Sequence, residues 1–139
     1  MKVVINKCFG GFGLSEAGNR AYWGRKGKQV FAVGAHRWFT SYFDAPLPPE
    51  FALPEGEYFM KRDHQEYKNY NEWYSAHSLY DRDIDRNDPD LVAVVEELGA
   101  ESSAVFANLT VVEIPDGVDW EISEYDGNEH VAEKHRTWA

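Results

Sequence analysis

The sequence predicts a small α+β domain, in which strands from the two ends of the chain form a small antiparallel sheet and two main helices pack against it. Val3–Ile5 is an apolar run near the N-terminus, and strand-like segments lie at Leu109–Ile114 and Val118–Tyr125. Apolar residues recur at helical spacing in Leu14–Arg25 and Pro89–Leu98. These patterns together indicate the α+β class.

Capping residues and glycines set the ends of the two helices. Asp88, followed by a proline, is a favoured start for the second helix, and Gly99 ends it. Ser15 caps the first helix, whose two glycines weaken it by up to about 1 kcal/mol each. Gly18 lies on the inner face, where it allows a strand to approach closely. The predicted inner face of the first helix consists of Leu14, Ala17, Gly18, Ala21 and Tyr22.

The C-terminal segment predicts a β-hairpin. Asp126-Gly127 is a preferred dipeptide for a two-residue type I′ turn. A turn at this point pairs Ile122 with Val131 across the strands. It also places Glu124 opposite Glu129, which is unfavourable unless the charges are solvated or bridged by a cation.

The middle of the chain is predicted to be a variable insert, at about residues 26–80, within a single domain that spans residues 1–139. Three tyrosines at helical spacing indicate core packing or an oligomer contact rather than a base-stacking platform. In order, the insert is predicted to contain a strand at Gln29–Ala35, a proline-rich loop at Ala45–Pro54, a strand at Glu57–Lys61 and a helix at His64–Ala76.

Charge and composition limit the function classes. Residues 1–40 hold seven basic residues and one acidic residue, a net charge of +6, whereas the rest of the chain carries −16. Free nucleic acid is therefore a poor partner. A small anion near the N-terminal end, self-association into a homo-oligomer, and neutralisation of the two regions within the fold all fit this asymmetry. No apolar run is long enough for a membrane helix, which leaves out a membrane partner, and a single cysteine suggests a reducing cytoplasm.

The glycine-rich loop between the first strand and the first helix is the candidate binding site. Amides in such a loop, at the positive end of a helix, favour anions. The loop matches neither the Walker A pattern nor the dinucleotide-binding pattern. The alternative is a glycine-rich turn in which Phe9 and Phe12 fill the core. The candidate ligand-binding residues are Lys7, Gly10, Gly11, Gly13, Ser15, Arg20, His135 and Arg136.

Other chemistry-bearing residues give weaker signals. Cys8 is either a nucleophile near a helix start or a buried structural thiol. Asp81, Asp83, Asp85 and Asp88 resemble a calcium loop, but Arg86 stands where such a loop requires glycine and Val92 where it requires glutamate. We therefore expect no metal, no cofactor and no assigned catalytic residue.

Three blocks resemble a family of small, uncharacterised proteins encoded by tailed phages and prophages. They are VINKCFGGFGLS, DRDIDRNDPDLVAVVEELG and VVEIPDGVDWEISEYDGNEHVAEKHRTW. The resemblance covers roughly half of the chain. It implies an accessory protein in the cytoplasm of an infected bacterium, and it supplies no catalytic residue.

Three function hypotheses follow. The first is a non-enzymatic protein that binds a small anionic ligand, such as a nucleotide signal, and sequesters it from host defence. The second is an acidic inhibitor that binds a host or defence enzyme by nucleic-acid mimicry, for which Asp81, Asp83 and Asp85 are candidate contacts. The third is a small hydrolase that uses Cys8 or a histidine such as His135.

Overall fold

The computed structural model describes residues 1–36, 39–52 and 64–134, and these ranges contain six strands and three α-helices. The α+β class is confirmed. In chain order the elements are β1 (Lys2–Asn6), α1 (Glu16–Arg25), β2 (Phe31–His36), β3 (Phe39–Phe43), α2 (His64–His77), α3 (Pro89–Leu98), β4 (Leu109–Glu113), β5 (Trp120–Tyr125) and β6 (Asn128–Glu133).

The chain divides into two compact units. The first contains Met1–Lys26 and Asp81–Ala139, and the second is Gly27–Tyr80, which is the segment that the sequence assigns to an insert. The strands pair antiparallel in twos, as β1–β4, β2–β3 and β5–β6. The N-terminal strand thus pairs with a strand of the C-terminal half, while the C-terminal hairpin forms a sheet of its own. None of the described helices is long and apolar enough to cross a bilayer.

The core of the first unit lies among β1, α1 and α3. Val3–Ile5 is at most 1% exposed, and the β1–β4 register runs from Lys2 opposite Glu113 to Asn6 opposite Leu109. Helical spacing predicts an apolar face of Leu91, Val94, Val95 and Leu98 for α3; the first three are buried and Leu98 is half-buried, and Val92 beside that face is buried as well. Burial of these side chains is the main source of stability for the unit.

The boundaries of α3 confirm the sequence prediction. The Asp88 side chain caps the helix by accepting from the Asp90 amide at 2.8 Å, and Gly99 ends it with a φ of 57°. A positive φ is a conformation that glycine adopts at little cost, which explains the choice of residue at this end.

The inner face of α1 differs from the prediction. Gly18, Asn19 and Tyr22 are its buried residues, whereas Ala17 is exposed. Asn19 is buried at a position where an apolar side chain is expected. It is tolerated there because its side-chain amide donates to the carbonyls of Leu14 and Ser15 at the start of the helix. A Cβ on Gly18 would lie 2.8 Å from the Ser102 carbonyl oxygen, so a helical turn, not a strand, makes the close approach.

Ion pairs join the basic N-terminal segment to the acidic part of the same unit. Lys2 pairs with Glu96 at 3.1 Å, and Lys26 reaches Asp90 at 2.8 Å. The N-terminal ammonium pairs with Asp116 at 2.8 Å. The two oppositely charged regions therefore neutralise each other in part within the fold, which was one of the interpretations that the charge asymmetry allowed.

The junction of α1 with α3 is a polar cluster. The Tyr22 hydroxyl donates to the Asp88 carboxylate at 2.7 Å, and Lys26 lies 3.1 Å from the same group. Burial raises the pKa of Asp88, but the hydrogen bonds from Tyr22, the Asp90 amide and Lys26 outweigh it and hold that pKa below its usual value. The lowered pKa stabilises the fold above the ordinary carboxyl pKa, and this contribution is lost as the pH falls through the lowered value.

The C-terminal hairpin has the predicted turn and register. Asp126 and Gly127 have φ of 50° and 87°, as a type I′ turn requires, and Ile122 lies opposite Val131. Glu124 lies opposite Glu129, as predicted. The structure shows how this pair is tolerated, since the first carboxylate is exposed and the second is buried against a cation.

That cation is Arg86, and it forms the centre of a buried polar network. Its guanidinium donates to both carboxylate oxygens of Glu129, at 2.6 and 2.9 Å, and lies 3.7 Å from the centre of the Phe12 ring. Glu129 also accepts from the main-chain amide of Asn6 at 2.7 Å. The Glu129 residue is only 7% exposed. The network holds β6 against β1 with every buried side-chain polar atom of the described residues satisfied.

The second unit contains the β2–β3 hairpin, α2 and an aromatic cluster. The predicted helix at His64–Ala76 is confirmed as His64–His77, and the end of the proline-rich loop forms a 3₁₀ turn at Pro49–Phe51. Trp73 and Tyr74 of α2 pack on the buried Phe43 ring, with centroid distances of 4.7 and 5.4 Å. Aromatic residues of this stripe therefore pack within the unit. The strand predicted at residues 57–61 lies outside the described residues.

We predict that Glu129→Gln lowers the free energy of unfolding by about 3 kcal/mol, because it leaves Arg86, whose side chain is only 16% exposed, without its counter-charge. The matched control is Glu124→Gln, directly across the hairpin but exposed, which should change stability by less than about 0.5 kcal/mol. Urea unfolding followed by circular dichroism measures both. Equal effects of the two substitutions would contradict the importance of the buried pair.

Candidate functional site

The glycine-rich loop connects β1 to α1, and its backbone is bonded at both ends. At its start, the Lys7 amide donates to the Asn108 carbonyl at 2.8 Å, and the Cys8 amide donates to the Asn6 side-chain oxygen at 3.2 Å. At its end, the Leu14 amide donates to the Asp81 carboxylate at 2.8 Å. The loop is therefore held in place by residues distant in sequence.

An internal carboxylate occupies part of the predicted anion position. Asp81 accepts from Leu14, while the Ser15 amide donates to the Ser102 carbonyl at 2.9 Å. Burial raises the pKa of Asp81, and the Leu14 amide and other backbone amides oppose that rise. Two of the main-chain donors at the helix start are thus already used by the protein itself.

The Ser15 side chain is also committed to the fold. Its hydroxyl accepts from the Gly18 amide at 3.0 Å as the N-cap of α1 and donates to the Glu101 carbonyl at 2.5 Å. The capping role predicted from the sequence is confirmed. A ligand would have to break these bonds to use the hydroxyl.

Close packing accounts for two of the glycines at this place. A Cβ on Gly10 would lie 2.0 Å from the Phe106 carbonyl oxygen, and one on Gly127 would lie 2.5 Å from the Gly11 nitrogen. Gly11 itself has a φ of 87°. Without side chains, the loop, the segment around Phe106 and the hairpin turn can touch through their backbones.

The two loop phenylalanines differ in position. Phe12 packs against the core of the first unit under the Arg86 guanidinium, as the glycine-turn alternative expects. Phe9 is 61% exposed, so the expectation that both rings fill the core is wrong for Phe9. Sequence pattern alone gives a single phenylalanine no direction in a loop.

Of the basic residues predicted for the site, the structure describes Lys7 and Arg20, which lie on different elements. Lys7 is exposed next to the glycine-rich loop, whereas Arg20 lies on the outer face of α1 and its guanidinium is 3.7 Å from Glu16. His135 and Arg136 lie outside the described residues. Gly13 lies in the loop, where its carbonyl accepts from the Ala104 amide at 3.0 Å.

The other candidate chemistries find little geometric support. The Cys8 thiol is free and half-buried. Asp81 is bonded to the glycine loop and Asp88 caps α3, so two of the four residues that resemble a calcium loop accept hydrogen bonds from backbone amides instead. In the described part of the chain, no group of three or more His, Cys, Asp or Glu side chains is arranged to hold a metal ion.

One ionisable pair in the second unit was missed by sequence reasoning. Nδ1 of His77 lies 2.8 Å from the Asp44 carboxylate, and the imidazole packs on Trp73 at a centroid distance of 5.2 Å. A carboxylate at Nδ1 orients the ring as in many catalytic pairs. However, the neighbouring Ser78 hydroxyl donates to the Tyr74 carbonyl, so it is not held as a nucleophile for this histidine. No motif spacing marks a pair 33 residues apart.

Exposed apolar side chains in the first unit were also missed. The large hydrophobic residues that are exposed in the described ranges are Phe9, Val105, Phe106 and Tyr125, at 58–80% exposure, and we call them the apolar patch. They belong to the same three segments whose backbones meet at the glycines. A cluster of this kind marks an interaction surface more often than scattered single residues do.

Acidic side chains extend from the same hairpin. They are exposed, and none forms an ion pair with another of the described residues. Because alternate residues of a strand point to opposite faces, both faces of the hairpin carry negative charge. These residues are Asp119, Glu121, Glu124, Asp126 and Glu133.

Comparisons of the chain with protein-family models, with curated proteins and with solved structures found no match. The resemblance to phage-encoded accessory proteins stays a prediction.

We predict opposite effects for alanine at two glycines. Gly10→Ala should lower the free energy of unfolding by about 1–3 kcal/mol, because its Cβ would collide with the Phe106 backbone. Gly24→Ala, in α1 with open space around it, should instead raise that free energy by up to about 1 kcal/mol. Chemical unfolding of the two variants checks the difference, and a Gly10→Ala variant as stable as the parent would rule out the close approach.

Proposed function

We propose that the protein is a non-catalytic, acidic inhibitor that binds a basic surface of another protein, one that would otherwise bind nucleic acid. In the setting that the phage resemblance implies, the partner is a host or defence enzyme. One observation carries the proposal: basic residues of the N-terminal segment are engaged in ion pairs with carboxylates outside the β5–β6 hairpin, while the carboxylates of the hairpin other than the buried Glu129 remain exposed.

The charge of the first unit supports a basic partner. Its ranges hold nine basic and seventeen acidic residues, a net charge of −8. Lys2, Arg25 and Lys26 lie against Glu96, Asp88 or Asp90, so these cations offset carboxylates of α3 and of its N-cap rather than those of the hairpin. The hairpin therefore presents its negative charges to solvent, where they attract and orient a basic surface.

The hairpin also holds its charges in fixed positions. Alternate residues along a strand lie about 6.6–6.8 Å apart, so Asp119 and Glu121 form a short row on one face of the hairpin. The buried Arg86–Glu129 pair fixes the strand that carries Glu133 to the core of the unit. A rigid row of carboxylates is the arrangement that can replace a phosphate backbone on a basic protein.

We predict that neutralising the hairpin removes partner binding. The test variant replaces Asp119, Glu121, Glu124 and Glu133 by their amides, and an equal-charge control replaces Glu50, Glu72, Glu97 and Glu101, all of which are exposed. Each protein is immobilised and exposed to bacterial lysate. The parent and the control should retain the same basic protein, double-stranded DNA should displace it, and the hairpin variant should lose it.

Two results would contradict this function. One is a retained protein that the hairpin variant binds as well as the parent does. The other is binding that neither added salt nor DNA weakens, since an electrostatic mimic must respond to both. Asp81 is left unchanged in these variants because its carboxylate is a buried acceptor for the glycine loop.

The nucleotide-sequestering function is a second candidate, which one observation favours. Lys7 is exposed beside the glycine loop and forms no ion pair with any of the described residues. An anion bound there would have to use donors earlier in the loop than Leu14 and Ser15, whose amides are occupied.

We predict for this candidate a stoichiometric rise in melting temperature with one member of a nucleotide panel and no turnover of that nucleotide. Lys7→Ala should remove the rise, whereas Lys134→Ala, which changes an exposed lysine at the end of the hairpin, should leave it. Unchanged melting temperatures across the panel would exclude a nucleotide ligand at this loop.

A further inference from the structure

We infer that the apolar patch is the anchor of the protein's binding surface, and that it docks into an apolar recess flanked by lysine or arginine on the partner protein. This inference rests on the proposed function, because it names the second half of the surface through which a basic partner would be held. The patch comprises Phe9, Val105, Phe106 and Tyr125.

The residues of the apolar patch lie on three segments that pack together at one place in the fold. Gly10, next to Phe9, packs directly against the Phe106 backbone, as the 2.0 Å from its hypothetical Cβ to that carbonyl oxygen shows. Gly127, two residues after Tyr125, packs against the Phe9 carbonyl and Gly11 in the same way. The three segments that carry the patch therefore meet at their backbones.

One buried side chain forms hydrogen bonds with all three segments. Asn6, which is 0% exposed, donates from its amide nitrogen to the carbonyls of Cys8 and Gly127, at 2.7 and 2.8 Å. Its oxygen accepts from the amides of Cys8 and Asn108, at 3.2 and 2.8 Å. Each of these bonded residues lies one or two positions from a residue of the patch.

Exposed side chains on a fixed backbone have a physical consequence for binding. Exposed aromatic side chains contribute less to folding than buried ones do, yet here their backbones are fixed by a network with no unsatisfied side-chain atom among the described residues. Fixing the backbone before binding reduces the entropy that association must remove. Phenylalanine and tyrosine also supply large contact areas with few rotatable bonds, and such residues dominate the energy of many interfaces.

Charge complementarity identifies the occupant. Glu124 and Asp126 flank Tyr125 directly, and the unit that carries the patch has a net charge of −8. A second copy of this chain would bring the same negative charge to the contact, which opposes self-association through this face. A recess with basic residues around it matches both the apolar centre and its acidic surroundings.

The test uses two synthetic peptides of equal length with the same tryptophan and leucine anchors, one flanked by lysines and the other by glutamates. Each is titrated into the full chain labelled with ¹⁵N. We expect the lysine peptide to bind, with amide shifts concentrated at residues 8–10, 104–107 and 124–128, and the glutamate peptide not to bind. Phe106→Ser and Tyr125→Ser should each weaken binding roughly tenfold.

Control variants separate this inference from the function on which it rests. Glu97→Ser, an exposed change on α3, should leave the affinity unchanged, and circular dichroism should show that all variants fold. If hairpin neutralisation abolishes binding while the two patch variants bind normally, the anchor is refuted and the acidic surface stands. If the lysine peptide does not bind at all, the anchor is refuted, whereas the proposed function is decided by the lysate experiment with the hairpin variant.

The last outcome to test is self-association of the protein through the apolar patch. Sedimentation velocity over a hundredfold range of concentration should show the same species for the parent and for Phe106→Ser. A dimer of the parent that this substitution abolishes would overturn the inference, because the patch would then be the contact between two copies of the chain.

Discussion

The buried pair between Arg86 and Glu129 is the interaction on which the first unit depends. Removing two charges from water is costly, and the geometry offsets that cost with two short hydrogen bonds, an amide donor from Asn6 and the face of the Phe12 ring. Since Glu129 belongs to β6 and Asn6 to β1, the pair joins the C-terminal hairpin to the N-terminal strand. The position of the hairpin is thus set by electrostatics in a buried site.

Because the hairpin packs against the glycine-rich loop, the role of this loop differs from the one predicted from the sequence. With the hairpin turn seated on it, Gly10 and Gly127 serve the close approach of backbones, and the Asp81 carboxylate takes the Leu14 amide that an external anion would have used. The loop is then a packing element whose outer side carries Phe9. Much of its hydrogen-bonding capacity is used within the fold, and in the proposed binding surface its part is to display Phe9.

The distribution of charge also supports the proposed binding surface. Ion pairs such as Lys2–Glu96 and Lys26–Asp90 use basic groups near the N-terminus to hold α1 and α3, and the hairpin carboxylates other than Glu129 stay exposed. An acidic hairpin beside exposed aromatic rings combines long-range attraction with short-range contact area, and association of proteins generally requires both. The two proposals concern these two parts of one surface.

The sequence by itself determined the features that depend on neighbouring residues. The cap at Asp88, the turn at Asp126-Gly127 and the hairpin register follow from local backbone preferences and alternation, so they could be predicted. Only the tertiary structure decided which groups meet across the chain: Glu129 finds Arg86 at a separation of 43 residues, and Leu14 finds Asp81 at 67. No local pattern encodes such pairs, because they depend on how the elements pack. For the same reason, the exposure of Phe9 and the occupied amides of the loop became visible only in the fold.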